Sequence, residues 1–116
     1  VLFRSNNVNQ GFMKRFEYVA MQMLIEFGKQ RIYLNHYPFL CYGGSYRGTW
    51  ELFGHVHTSP CNSGLDNSRL DMLFPTQYDV GVDNNNFTPV SYGEVEMKIK
   101  DQIEAHKLKS QDVSYR

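Results

Sequence analysis

The alternation of Met21, Met23 and Ile25 with Gln22 and Glu26 stops at Gly28-Lys29-Gln30, and the β-favouring Arg31-Ile32-Tyr33-Leu34 begins directly afterwards. Two such runs joined by a short glycine-bearing break read as a β-hairpin, because glycine supplies turn conformations that other residues resist. Phe12, Phe16, Val19, Met23 and Phe27 also recur at spacings of three and four, which would suit one long helix. The break decides for a short helix over residues 12–18 followed by the hairpin.

Further along, Trp50-Glu51-Leu52-Phe53 reads as a strand ending at Gly54, and Tyr78-Asp79-Val80-Gly81-Val82 as another ending at the polar turn Asp83-Asn84-Asn85-Asn86. Both stop at loops rich in polar groups. Residues 58–76, with Pro60, Gly64 and Pro75, make a long loop that is expected to border a site. Ser91 followed by Glu94 fits a capping box, and Val95, Ile99 and Ile103 give the ensuing helix a buried stripe. These elements predict one mixed α/β (α+β) domain, which suits a chain of 116 residues.

Charge and composition exclude several classes of function. Lys plus Arg and Asp plus Glu number 12 each, so no excess basic field is available to gather nucleic acid. No apolar stretch approaches the ~20 residues that cross a bilayer. Cys41 and Cys61 are the two cysteines, and neither lies in a Cys-x-x-Cys pair. A reduced, cytoplasmic protein is the simplest expectation.

Three histidines carry the chemistry. Gly54-His55-Val56-His57 follows a strand, and alternate residues of an extended segment point the same way, bringing two imidazoles to one side as a pair of metal ligands would be. Two surface histidines would give the same pattern. His36, in Asn35-His36-Tyr37-Pro38, stands at the end of the preceding β-favouring run, and by itself it reads as a hydrogen-bonded histidine. With His55 and His57 also at a strand end, the three form a candidate cluster that packing does not require. Tyr46 and Arg47, in the loop between the two histidine motifs, are weaker candidates for contact with a substrate phosphate. Asp83 and Asn84 to Asn86 are explained by turn chemistry, Asn62 by its loop, and His106 by a solvated helix face.

Asn35-His36-Tyr37-Pro38, then Phe53-Gly54-His55-Val56-His57, then Val80-Gly81-Val82-Asp83 leading to Pro89-Val90-Ser91 resembles the later part of the calcineurin-like metallophosphoesterase pattern. The resemblance runs from about Phe12 to Ile103. It implies the C-terminal half of a four-layered α-β-β-α sandwich whose strand-end loops hold two divalent ions (Mn, Fe, Zn or similar). His36 and His55 would bind one ion and His57 the other. The implied activity is hydrolysis of phosphate mono- or diesters on a small phosphorylated substrate, through a water activated by two metals. A non-catalytic domain binding a single structural metal, and a nuclease of the same fold, are the alternatives.

The family's Asp-x-His, Gly-Asp-x-x-Asp and Gly-Asn-His-Asp/Glu motifs are absent, and with them the bridging carboxylate and the general acid. The expectation is therefore a partial domain over residues 6–109, inactive by itself. Residues 110–116 would form a polar tail. Val1-Leu2-Phe3-Arg4-Ser5 reads as a non-native leader, since Leu-Phe-Arg-Ser is what a common sequencing-adapter end encodes. A sheet without its facing half would leave Met23, Ile25, Ile32 and Leu34 against water.

Overall fold

The computed structural model describes residues 15, 19–56 and 70–114. The expected helix over residues 12–18, the leader, His57, Cys61 and Asn62 lie outside the described residues, apart from Arg15 in a turn. The domain is mixed α+β, with a four-stranded sheet and one C-terminal helix. The strands β1 (Gln22–Phe27), β2 (Gln30–Asn35), β3 (Trp50–Phe53) and β4 (Gln77–Asp79) lie in the order β1-β2-β3-β4. Helix α1 spans Tyr92–Ser114.

Strands β1 and β2 form the anticipated hairpin, with Phe27 opposite Gln30. Gly28 has φ 61, and the left-handed conformation at the first central position of a two-residue turn matches the strands' right-handed twist. Strands β2, β3 and β4 run parallel to one another. Parallel neighbours need a crossover of about a dozen residues or more, and residues 36–49 and 54–76 supply the two crossovers.

One sheet face carries the apolar core. Ile32, Trp50 and Tyr78 pack against Val95 and Ile99 of α1, with Ile25, Leu34, Leu52 and Ile103 around them. Ile32 is thus buried, contrary to the expectation that it would be bare, because α1 lies across this face. Ser91 caps the helix as read, its Oγ accepting from Glu94 N at 3.2 Å, while the Glu94 carboxylate accepts at 3.2 Å from Ser91 Oγ in place of the backbone N–H of a full capping box. Val95 and Ile99 fall one turn apart and reach the same sheet face, each contributing about 1.5–3 kcal/mol by burial. The helix runs on to Ser114, into the stretch read as a polar tail. Among the described residues no helix is long and apolar enough to cross a membrane.

The last strand differs from its sequence reading. β4 occupies Gln77–Asp79, and Val82–Asn84 forms a 3-10 turn instead of continuing the strand. Asp79 Oδ1 accepts from Gly81 N at 2.8 Å, while the side-chain amides of Asn84 and Asn85 donate to Asp79 O at 3.1 and 3.0 Å. The ladder runs one bond past Asp79, Val80 N donating to Phe53 O at 2.9 Å, and the side-chain bonds on the side away from β3 turn the chain into Val82–Asn84.

Replacing Ile99 by alanine should lower stability by about 2–5 kcal/mol, seen as a lower urea midpoint at unchanged m-value, since α1 is the only helix covering the core among the described residues. An unchanged midpoint would show that α1 is not docked there.

Candidate metal-binding edge

Because β2 and β3 are parallel neighbours, the residues following them emerge at the same edge of the sheet. Gly54 N donates to His36 O at 3.0 Å, tying the two outgoing segments together. His36 Nε2 and His55 Nδ1 then lie 3.3 Å apart, with the rings 5.1 Å centre to centre and inclined at 69°. In the absence of an ion, one nitrogen carries the proton and the other accepts it.

Each histidine is held by its neighbours. Asn35 Oδ1 accepts from Tyr37 N at 2.9 Å, an Asx turn that fixes the exit from β2. The Tyr37 ring lies 4.6 Å from the His55 ring and 4.9 Å from that of His36. His55 itself has φ 67, and Val56 N donates to Gly54 O at 2.7 Å across it. That bond around a positive-φ residue is the rare, strained form of γ-turn. Gly54, where a glycine's freedom would be expected to serve, is not the residue with positive φ. The structure gives it to His55, and a Cβ at Gly54 would make only ordinary contacts of 3.8 Å with His36.

An apolar groove of about 480 Å³ opens beside His55, lined by Tyr37, Phe39, Leu40, Leu70, Met72 and others. Leu70 and Met72 belong to the described end of the long loop expected to border the site. Tyr46 and Arg47, by contrast, stand at the wrong end of the sheet. They form a 3-10 turn just before β3, and adjacent Gly48 O accepts from the side chain of Gln30 at the start of β2. The histidines follow the opposite ends of these strands, so the two residues do not join them. Tyr46 is 91% exposed and packs edge-on to Phe74 at 5.5 Å. His106 is exposed on α1. Among the described residues, no three metal-ligating side chains are gathered.

Sequence reasoning passed over Glu51 and Gln77. The second sheet face buries both, side by side in register. Glu51 Oε1 accepts from Phe39 N and from Gln77 Nε2, each at 3.0 Å, while Gln77 Nε2 also donates to Phe39 O at 2.8 Å. Gln77 Oε1 accepts from Phe74 N at 2.7 Å. The pair therefore clamps both backbone polar groups of Phe39, three residues after His36. Glu51 Oε2 is buried without a hydrogen-bond partner. A lone Glu between Trp50 and Leu52 in a β-favouring run was the available signal, since an alternating strand would otherwise send that position to an apolar or solvated face.

Burial pushes the Glu51 carboxyl up to about 7, and its hydrogen bonds with Gln77 and Phe39 only partly oppose this. The native state thus favours the neutral acid. Its stabilising share is complete below the ordinary value of 4.5 and is lost as pH rises through about 7. Wild type should lose on the order of 1–3 kcal/mol between pH 5 and pH 8, a slope that Glu51→Gln removes. Parallel denaturant titrations check this; equal slopes in the two proteins would contradict it.

Comparison with protein-family models, with curated proteins and with solved structures found no match to this chain.

Proposed function

We propose that the edge bearing His36 and His55 is part of a divalent-metal centre, and that the chain is the C-terminal portion of a calcineurin-like metallophosphoesterase. The observation that carries this reading is the 3.3 Å between His36 Nε2 and His55 Nδ1. Two nitrogens bound to one tetrahedral ion at about 2.0–2.1 Å stand about 3.3–3.4 Å from each other. The separation therefore needs little change to accept an ion. The left-handed backbone at His55 supports the same reading, since strained turns cluster where a side chain must be aimed.

His57 is assigned to the second ion. The bridging carboxylate and remaining ligands are assigned to Asp-x-His, Gly-Asp-x-x-Asp and Gly-Asn-His motifs encoded before this portion. The sheet and α1 then make up half of the four-layered sandwich. When bound, the ions would supply positive charge to a phosphate ester's oxygens and acidify a water for attack on phosphorus. This chain's share is to hold His36 and His55 at fixed separation through the Gly54–His36 backbone bond and the Phe39 clamp. The preferred substrate is a small phosphate mono- or diester, in keeping with the neutral charge balance. A cytoplasmic setting goes with this reading.

Zinc or cobalt titration of the purified chain should show one site that weakens more than about 10-fold in His36→Ala or His55→Ala, while His106→Ala is unchanged. The chain alone should not hydrolyse an aryl phosphate, whereas the full centre should. Metal binding lost only in the His106 variant, or retained in both of the others, would place the site elsewhere.

A further inference from the structure

The two edges of the sheet differ in chemistry. At the β4 edge, the carbonyls of Pro75, Gln77 and Asp79, which point away from β3, are already occupied. Gln102 Nε2 donates to Pro75 O and Gln77 O at 2.8 and 2.9 Å, and Asn84 and Asn85 donate to Asp79 O. Gln77 N donates to Phe74 O at 3.0 Å, and Pro75 has no N–H. Another strand therefore finds no ladder to join there.

Among the described residues the β1 edge has none of these devices. In a hairpin closed by a two-residue turn, Phe27 bonds to Gln30, so Ile25 and Met23 also face β2. Met21 O faces the same way, accepting from Asn35 Nδ2 at 3.5 Å. Gln22, Leu24 and Glu26 thus present their N–H and C=O groups outward. Edge strands are commonly blunted by Lys, Pro or a bulge, and β1 contains neither residue and pairs without a break. Its one charge, Glu26, is engaged by Arg31 at 3.7 Å. Met21, Leu24 and Phe27 are 78%, 41% and 58% exposed.

The segment is also self-complementary. Met21-Gln22-Met23-Leu24-Ile25-Glu26-Phe27 is a palindrome in chemical class about Leu24. Antiparallel to a copy of itself, it sets Leu24 opposite Leu24, Met23 opposite Ile25, Met21 opposite Phe27 and neutral Gln22 opposite Glu26. No like charges face each other, and each exposed apolar side chain gains an apolar partner. A twofold axis through Leu24 relates the copies, as a closed dimer requires. We propose that β1 is the contact strand of a homodimer, two copies pairing antiparallel about Leu24 to make one continuous sheet.

Residue 22 gives a test specific to this register, since its side chain is exposed and outside the core. Sedimentation equilibrium of the full chain across a concentration series should show a monomer–dimer equilibrium. Gln22→Glu places Glu opposite Glu26 twice and should weaken the dimer roughly 2- to 30-fold, whereas Gln22→Lys should strengthen it over a similar range. Leu24→Pro, which removes one outward N–H, should give monomer with an unchanged far-UV spectrum. A wild-type monomer at every concentration overturns the proposal, as does a dimer indifferent to charge at residue 22. A monomer whose Leu24 amide resists hydrogen exchange also overturns it, assigning the edge to another segment of the same chain.

Discussion

The parallel pairing of β2 with β3 is the constraint from which the rest of the molecule follows. A β-strand sends its successor residues out at one end, so only parallel neighbours bring the residues after two strands to a common edge. This is what brings His36 and His55, nineteen positions apart in the sequence, to one place. The backbone bond from Gly54 to His36 extends the ladder one step past the strands, and the γ-turn at His55 then turns its ring toward the first histidine.

Parallel pairing imposes a cost that the sequence also meets. The crossover after His36 must return across the sheet to start β3, and it does so over the face opposite α1, where Tyr33 packs against Phe39 and Tyr42. Crossover backbone laid over a sheet carries polar groups that need partners. Glu51 and Gln77 satisfy Phe39, and Tyr42 Oη donates to Thr49 O at 3.0 Å. The carboxyl of Glu51 is withdrawn from water in doing so, and burial pushes it up to about 7 against the opposing hydrogen bonds of Gln77 and Phe39. The same arrangement that ties down the chain beyond His36 thereby makes stability depend on pH.

Local signals in the sequence were legible where local physics decides. Gly28 marked the hairpin, Ser91 and Glu94 the start of α1, and Val95 with Ile99 the face that meets the sheet. The histidine pair was legible because both residues follow β-favouring runs. What escaped was set by tertiary direction. Tyr46 and Arg47 fall between the histidine motifs in sequence, but a parallel crossover carries them to the far end of the sheet. The end of β4 escaped because a strand pattern does not register the bonds of Asp79 with Gly81, Asn84 and Asn85 that turn the chain away after Val80. Glu51 escaped because a buried acid becomes intelligible only once Phe39 and Gln77 are placed beside it.

The assignment of His36 and His55 to one metal ion is tested most directly by anomalous diffraction from crystals of the chain grown with cobalt or zinc. A single anomalous peak is expected about 2.0–2.1 Å from both His36 Nε2 and His55 Nδ1, with the backbone around Gly54 unmoved. A peak bound by only one of these nitrogens, or the two imidazoles still hydrogen-bonded to each other in the presence of excess metal, would contradict it.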